Sequence, residues 1–455
     1  MNQEEILIWG NGDYLKNVID KIDPNLNIIN IIDIDIRRHG EKVLYGEREL
    51  VCCGWDEMKF KNVKKIFVST RNVNAVSAIS QQVGMGRKVI HINEEVERYK
   101  EIWEKKQIKK FDEAKKNIVI DESEKIHCFV SVTVPISYCN LQCEYCYVEQ
   151  NNDFYQKKAT IYSTEFIRRA FSQQRFGGKA LINLCGTGET FLCKGLNEIV
   201  KVLLEEGHYV SIISNALIEE PIRELLNNPR AERLFFKCSF HYAELKKKNL
   251  LEKYSRVVNM IIASKASCSV ELVPHDNLIP FQDEIKEYCM REFGAWPHVT
   301  VARDESQEGL PILSAYSFEQ YKEIWGKFRS PLFETKMRHQ TPETSYCIAG
   351  RGTILVDLEH GGCRYCPNSK ALENFYHDIS VPIHYDEIGL NCKNKYCINS
   401  HAYLTLGMIP DVRELSYLDM RDRKCADGNS WVKEPIRSVF VQRVWPIVPL
   451  LAKNG

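Results

Sequence analysis

Apolar runs and amphipathic segments alternate along the chain from residue 129 onward. Six runs rich in apolar and β-branched residues predict buried strands, at 129–136, 179–185, 208–214, 233–240, 267–273 and 297–302. Segments with apolar residues at helical spacing lie near 163–175, 192–206, 218–228, 251–265, 280–294 and 317–328. This alternation predicts an α/β fold in which helical crossovers connect parallel strands.

The first 95 residues show a shorter version of the same alternation. A strand pattern at Ile6–Trp9 leads into Gly10-Asn11-Gly12, and a helical pattern follows from Tyr14 to Ile22. Further strand patterns lie at 27–35, 65–70 and 88–92. Residues 1–95 therefore resemble a small Rossmann-like α/β domain, and they also resemble N-terminal modules found beside sugar-modifying enzymes.

The glycine turn carries part of a dinucleotide-binding pattern. Asp33 and Asp35 lie about twenty residues beyond the glycines, where that pattern places the acid that binds a ribose. Leu15, however, occupies the position of the third glycine. We favour a turn in a domain that binds no nucleotide, and a nucleotide site stays the alternative.

Charge and composition narrow the choice of partners. Sixty-one basic and sixty-one acidic residues give zero net charge, which argues against nucleic-acid or membrane partners. Residues 96–126 mix charges of both signs and predict a solvated linker helix. The N-terminus lacks a signal-peptide pattern, and an arginine and two prolines interrupt the apolar run 439–451. We therefore expect a cytoplasmic protein that does not span a membrane.

Three of the seventeen cysteines lie together after the first strand of the longer series. Cys139, Cys143 and Cys146 have the spacing C-x3-C-x2-C, and Tyr145 precedes the last of them. In a reducing cytoplasm, clustered cysteines indicate metal ligands rather than disulfides. Three thiolates on one loop can hold a [4Fe–4S] cluster and leave one iron open. The loop resembles the signature of the radical S-adenosylmethionine (radical SAM) superfamily.

The resemblance implies a fold and a chemistry. The fold is a partial (β/α)6 TIM barrel over residues 127–335, with its active site at the carboxyl ends of the strands. In the chemistry, the open iron binds the amino and carboxylate groups of SAM, and reduction cleaves SAM to a 5′-deoxyadenosyl radical. A flavodoxin- or ferredoxin-like protein would supply the electron. We therefore expect an oxidoreductase or another radical-based modifying enzyme, with the three cysteines as its catalytic ligands.

Polar residues after the next three strands match the SAM site of the family. Thr187-Gly188-Glu189 resembles the Gly-Gly-Glu motif that holds the SAM amino group, with threonine at the first glycine. Ser214, Asn215 and Ser239 resemble positions that contact the SAM ribose or carboxylate, a role that small hydroxyl and amide groups suit. With Tyr145, these residues are the expected SAM ligands.

Glu271, in the fifth strand, and His275, just after it, have more than one interpretation. Both could face the substrate, or Glu271 could pair with a lysine of the barrel. The other cysteines of this region lie in apolar sequence, which predicts unreactive core residues: Cys185, Cys193, Cys238, Cys268 and Cys289.

A second set of cysteines lies in residues 336–455. A short hairpin would bring Cys347 beside Cys366, and Cys392 and Cys397 would complete a shell of four thiolates. With Gly361 at the glycine of the pattern, the segment resembles the SPASM and twitch domains of radical SAM enzymes, which implies one auxiliary [4Fe–4S] cluster.

Two questions about this second set stay open. A structural zinc ion is the alternative to the auxiliary cluster, because four cysteines also form a zinc shell. Cys363 or Cys425 could replace one of the four expected ligands.

The substrate class follows least directly from the sequence. The Rossmann-like module favours a sugar or a nucleotide-linked sugar that is oxidised or otherwise modified. A ribosomally made peptide or a protein side chain is the alternative substrate. From a different class, a zinc-stapled binding protein without catalysis would also explain the cysteines.

Overall fold

The computed structural model describes residues 4–72, 74–84, 86–114, 123–150, 162–340, 346–367, 369–390, 392, 396–412 and 415–444. Two compact units divide the chain, Met1–Lys109 and Lys110–Gly455, here called the N-terminal and C-terminal units. Residues 115–122 of the predicted linker and 445–451 of the C-terminal apolar run lie outside the described residues. Within the described ranges, no helix has both the length and the apolar character needed to cross a membrane.

A six-stranded sheet forms the centre of the N-terminal unit. Its strands are β1 (Ile6–Trp9), β2 (Ile28–Ile32), β3 (Lys42–Tyr45), β4 (Arg48–Cys53), β5 (Lys65–Val68) and β6 (Lys88–His91). The strand order is β3-β4-β2-β1-β5-β6, with an antiparallel β3–β4 hairpin and parallel pairing elsewhere. Its helices are α1 (Asp13–Val18), α2 (Ala75–Val83) and the start of α3 (Ile92–Ala114). Alternate residues of β1 enter two apolar clusters, so both faces of the sheet are buried.

The turn after β1 is held by contacts within the protein. Gly10 has a φ of +108°, and a Cβ there would lie 2.6 Å from the carbonyl oxygen of Ser69. Asp33, the predicted ribose ligand, accepts the backbone N–H groups of Asn11 at 2.7 Å and Asp35 at 2.9 Å. These bonds favour the nucleotide-free interpretation, and the Rossmann-like assignment stays a prediction.

The helix that leads into the predicted linker is partly buried where it begins. Ile92, the first residue of α3, is fully buried, and Glu95 is only 1% exposed. Glu95 forms ion pairs with Arg98 and Lys65, which compensate the hydration that its carboxylate loses. Residues 96–114 continue the same helix, with Glu104 and Phe111 also buried, and the linker over 96–126 stays a prediction.

The C-terminal unit contains the six predicted strands in sequential order. They are β7 (Ile126–Val134), β8 (Lys179–Gly186), β9 (Tyr209–Ser214), β10 (Leu234–Ser239), β11 (Ser267–Leu272) and β12 (His298–Val299). Each pairs in parallel with the next, as predicted. This is the topology of a (β/α)6 unit, and its closure into a partial barrel stays a prediction.

Helices follow the strands near the predicted positions. They are α4 (Tyr147–Gln150), α5 (Thr164–Ala170), α6 (Gln173–Phe176), α7 (Leu196–Glu205), α8 (Glu219–Leu226), α9 (Tyr242–Lys247), α10 (Leu251–Ala263), α11 (Gln282–Phe293), α12 (Phe318–Gly326) and α13 (Pro331–Arg338). Serine side chains cap three of them: Ser163, Ser317 and Ser330 accept backbone N–H groups at the starts of α5, α12 and α13.

Residues of the predicted auxiliary domain extend the same sheet. β13 (Thr353–Asp357) pairs in parallel with β7, and β14 (Cys363–Arg364) pairs antiparallel with β13. Two further short helices, α14 (Ser400–Tyr403) and α15 (Ile436–Phe440), pack into one apolar cluster with the strands. Residues 336–455 therefore share a sheet and a core with the strands of the predicted 127–335 domain.

Candidate active site

The cysteine loop leaves the end of β7 and is bonded to the loop that follows β8. The backbone N–H of Gly188 donates to the carbonyl of Ile136 at 2.8 Å, and that of Glu189 donates to the carbonyl of Tyr138 at 2.9 Å. The Thr187 hydroxyl also donates to Ile136, at 2.9 Å. A Cβ on Gly188 would lie 2.1 Å from the Tyr138 oxygen, so only glycine fits. The Thr187-Gly188-Glu189 loop thus fixes where the cysteines lie.

The three cysteines of this loop, here called the tripod cysteines, are close enough to influence one another. Burial raises the pKa of Cys143, and negative charge on Cys146 and Cys139 would raise it further. The backbone N–H of Leu141 donates to Cys139 Sγ at 3.4 Å, and Asn215 Nδ2 lies 3.7 Å from the same sulfur. Hydrogen bonds to sulfur are one of the means by which proteins tune ligand thiolates of iron–sulfur clusters.

Glu189 connects the ends of β8 and β9 through its carboxylate. One oxygen accepts the Ser214 hydroxyl at 2.7 Å and the Phe191 N–H at 3.1 Å, and the other accepts the Asn215 N–H at 2.7 Å. The side chain is 2% exposed, and burial raises its pKa while these three bonds lower it. A carboxylate offers about four acceptor positions. One position on the second oxygen is therefore left for an added donor.

One cavity of about 290 Å³ brings together all the residues predicted for the SAM site. These residues are Cys139, Cys143, Tyr145, Cys146, Thr187, Gly188, Glu189, Ser214, Asn215 and Ser239. They come from the ends of four consecutive strands, where the sheet topology predicts a site. The cavity volume is near the lower end of the range for ligand pockets.

Two histidines flank the aromatic residue of the cysteine loop. The Tyr145 hydroxyl is 2.8 Å from His241 Nδ1, and the two rings stack at 5.9 Å between centroids. His275 lies on another side of Tyr145, with centroids 5.5 Å apart, and its buried Nδ1 has no hydrogen-bond partner among the described residues. Burial lowers the pKa of His241 to about 4, so its ring is neutral at physiological pH.

The cavity also contains residues that the sequence did not indicate. Cys185 was predicted to be an unreactive core residue, but it is partly exposed on the cavity wall. The other four cysteines assigned to the core are buried, as predicted: Cys193, Cys238, Cys268 and Cys289. The position of Cys185 immediately before Gly186 and Thr187, at a strand end, was the signal that would have identified it. Arg303, Glu305 and Lys336 line the cavity from later segments that carry no recognisable motif.

The structure decides the role left open for Glu271. Its carboxylate forms an ion pair with Arg421, which is 2% exposed, and accepts the Ser269 hydroxyl at 2.5 Å. Burial alone would raise the pKa of Glu271, but Arg421 and Lys237 lower it to about 2. The cation that pairs with Glu271 is therefore an arginine from the C-terminal segment rather than a lysine of the strands.

The four cysteines predicted as auxiliary ligands line a second cavity: Cys347, Cys366, Cys392 and Cys397. The predicted hairpin is present as β13 and β14, and Gly361 occupies its turn with a φ of +69°. Burial raises the pKa of Cys397, and charge on each of the other three thiols would raise it further. All four sulfurs therefore lie near one another.

The two leftover cysteines lie elsewhere. The Cys363 thiol is 3.0 Å from the Glu373 carbonyl and lines a different cavity beside β13. The Cys425 thiol is 3.5 Å from the Phe293 carbonyl, against the end of α11. Within the described residues, no three histidine, cysteine or acidic side chains converge as they would on a single metal ion.

No protein-family model and no curated protein matches the chain. Partial similarities to solved structures include native anSMEcpe with bound AdoMet, at 14% identity and TM-score 0.40, over 55% of this chain and 78% of that one. Streptococcus suis SuiB bound to precursor peptide SuiA is 14% identical with a TM-score of 0.36, and the match covers 65% of this chain and 70% of SuiB. BtrN in complex with AdoMet and 2-DOIA is 15% identical with a TM-score of 0.30, and the match covers 57% of this chain and 82% of BtrN. At these identities and TM-scores, nothing about the activity of this chain follows from the similarity.

Proposed function

We propose that the chain is a radical SAM enzyme. One observation carries the proposal: the tripod cysteines, the Thr187-Gly188-Glu189 loop and the polar ends of β9 and β10 line one cavity. Each group was assigned from the sequence to the same cofactor site. Since they come from separate segments, their meeting at one edge of the sheet supports a common role.

The tripod cysteines suit a [4Fe–4S] cluster bound through three thiolates. Their loop offers no fourth cysteine, and the neighbouring donors are the Leu141 N–H and the Asn215 amide, which can bond to sulfur. The raised pKa of Cys143 reflects burial and the mutual repulsion of thiolates. The positive charge of bound iron would reverse that repulsion and favour the thiolate forms.

Glu189, Ser214 and Asn215 would hold the methionine part of SAM. The free acceptor position of the Glu189 carboxylate suits an ammonium group, and the bonds from Ser214 and Asn215 keep that carboxylate fixed in place. When both are bound, the reduced cluster and SAM supply a 5′-deoxyadenosyl radical that abstracts hydrogen from a substrate. Leu141, Ile213 and Val273 give the wall an apolar surface that excludes water from the reaction.

The second cysteine set suits one auxiliary [4Fe–4S] cluster. Four sulfurs around one zinc ion would lie about 4 Å apart, because each Zn–S bond is about 2.3 Å long. The four cysteines line one cavity, and the resemblance of their segment to auxiliary-cluster domains favours the cluster over zinc. Such a cluster would accept the product electron, making the net reaction an oxidation, or would shape the substrate pocket.

For the substrate, we keep the sugar or nucleotide-linked sugar that the sequence favours, with a ribosomally made peptide as the alternative.

Electron paramagnetic resonance tests the proposal with a readout specific to an open iron. The anaerobically reconstituted protein is reduced with dithionite, and its spectrum is recorded with and without SAM. We expect a [4Fe–4S] signal that SAM alters in the wild-type protein. A matched variant in which Cys347 is replaced by serine should retain the SAM-dependent change, because the tripod is intact. A spectrum that SAM leaves unchanged, or a protein that binds zinc and no iron, would overturn the proposal.

A further inference from the structure

Two basic side chains line the cavity of the tripod cysteines, and within the described part of the chain neither has a carboxylate partner. Lys336, on α13, is 7% exposed, and its Nζ donates to the Thr300 hydroxyl at 2.6 Å. Arg303 donates to the Ile398 carbonyl at 2.6 Å, and its buried Nε has no hydrogen-bond partner among the residues that the structure describes. Among the described residues, neither cation has a carboxylate at ion-pair distance.

Further cations face these two from neighbouring elements. Burial lowers the pKa of Lys336 well below its usual value, and Arg303, Arg421 and Lys237 lower it further. Glu271 opposes that shift, but its carboxylate is already paired with Arg421. Lys237 donates to the neutral Asn183 side chain at 2.6 Å. The strand ends therefore enclose more positive than negative charge.

The carboxylates of the cavity wall do not balance this excess. Glu189 is engaged by its three donors and is assigned to the SAM ammonium group. Glu305 lies on the same wall, but not within ion-pair distance of Lys336 or Arg303. Burial is the largest cause of the lowered pKa of Lys336, followed by the charges of Arg303 and Arg421.

A buried cation without a counter-charge costs stability, because it loses hydration that no partner replaces. Such a cost is common where a site is built for a ligand. A lysine ammonium and an arginine guanidinium on one wall are the donors that proteins use for phosphate and carboxylate groups.

We propose that the substrate carries an oxyanion, a phosphate or a carboxylate, that Lys336 and Arg303 bind in this cavity. The inference rests on the proposed function, since it takes the remainder of the cavity as the SAM site. It assigns a chemical class to the substrate, and a neutral sugar without an acidic group falls outside that class.

The test measures the binding of simple anions to the reconstituted holoprotein. Thermal midpoints are recorded with SAM present while sodium phosphate or sodium acetate replaces sodium chloride at constant ionic strength. We expect one of the two anions to raise the midpoint by several degrees more than chloride does, because a ligand that binds the folded state stabilises it. A larger effect of phosphate indicates a phosphorylated substrate, and a larger effect of acetate indicates a carboxylate.

Four variants separate binding at Lys336 from general effects of charge. Lys336→Met should weaken the apparent anion affinity by at least about tenfold, and Lys336→Arg should retain the response. Arg303→Gln should weaken it as well. Lys322→Met, which removes an exposed lysine from α12, should respond like the wild-type protein.

Three results would overturn the inference: no anion-specific shift in the wild-type protein, an unchanged shift in Lys336→Met, or a shift that appears only without SAM. The last result would assign the cations to the SAM carboxylate. If Lys336→Met does not fold, Arg303→Gln takes its place, and an anion-induced midpoint shift equal to that of the wild-type protein would likewise overturn the inference. Formation of 5′-deoxyadenosine by the wild-type protein is measured in parallel. A protein that forms it but ignores the anions disproves only this inference, whereas one that forms none disproves the proposed function.

Discussion

The carbonyl oxygen of Tyr138 lies 2.1 Å from the place where Gly188 would carry a Cβ. Gly188→Ala must therefore separate the cysteine loop from the loop after β8. We expect this variant to bind less iron at the tripod and to unfold at a lower temperature. Iron analysis and thermal unfolding check this. Gly326→Ala is the control, because a Cβ at Gly326 meets nothing within 4 Å. Equal iron content and equal midpoints in the two variants would show that the contact does not position the cysteines.

Glu189 is expected to control the affinity for SAM. Glu189→Gln replaces an acceptor oxygen with an NH2 group, which faces either the Asn215 N–H or the Ser214 hydroxyl and cannot accept from it. We expect SAM to bind at least about tenfold more weakly, as measured by equilibrium dialysis of the reconstituted protein. The same substitution at the exposed Glu198 of α7 should leave the affinity unchanged. Identical dissociation constants for the two variants would remove Glu189 from the SAM site.

The C-terminal cysteines should divide into four ligands and two bystanders. Replacing Cys347 or Cys397 by serine should remove about four iron atoms per chain, the content of one cubane cluster. The same change at Cys363 or Cys425 should remove none, because these thiols lie at backbone carbonyls away from the second cavity. Iron and sulfide analysis checks this. A loss of iron in Cys363→Ser equal to that in Cys347→Ser would refute the assignment, and zinc in place of iron would favour the structural alternative.

The buried pair of Glu271 and Arg421 should contribute a large coupling energy. Arg421→Met alone leaves the Glu271 carboxylate buried without its partner, which costs about 3–5 kcal/mol of unfolding free energy. The double variant with Glu271→Gln should recover most of this loss. The exposed pair of Lys246 and Glu284 is the control, with an expected coupling of about 0.2–1 kcal/mol. Urea unfolding measures both cycles, and equal coupling in the two pairs would contradict the prediction.

The ion pair of Glu271 and Arg421 also predicts how its coupling energy depends on pH. Burial raises the pKa of Glu271, but the positive charges of Arg421 and Lys237 lower it to about 2. A carboxyl with a lowered pKa contributes its stability above its unfolded value of about 4.3 and loses it as the pH falls towards 2. The coupling energy should therefore stay constant from about pH 6 to about pH 9. A coupling that falls within this window would indicate that another group carries it.

The strands, and the meeting in one cavity of the residues predicted for a SAM site, were predictable because their signals are local. Apolar runs mark β7 to β12, and the parallel order of these strands places Cys139, Glu189 and Ser214 at one edge of the sheet. Two contributions were not predictable, because they come from segments that are distant in sequence and carry no motif: Lys336 in the cavity wall, and Arg421 as the partner of Glu271. The burial of Glu95 at the start of α3 was not predictable for a related reason, since only tertiary contacts show it.

Anaerobic formation of 5′-deoxyadenosine from SAM and dithionite tests the central claim most directly. The wild-type holoprotein is compared with a variant in which alanine replaces Cys139, Cys143 and Cys146. We predict that the wild-type protein forms 5′-deoxyadenosine and that the variant forms none while keeping the iron of its C-terminal cysteine set. Equal formation by the two proteins, or none by the iron-replete wild-type protein, would contradict the account.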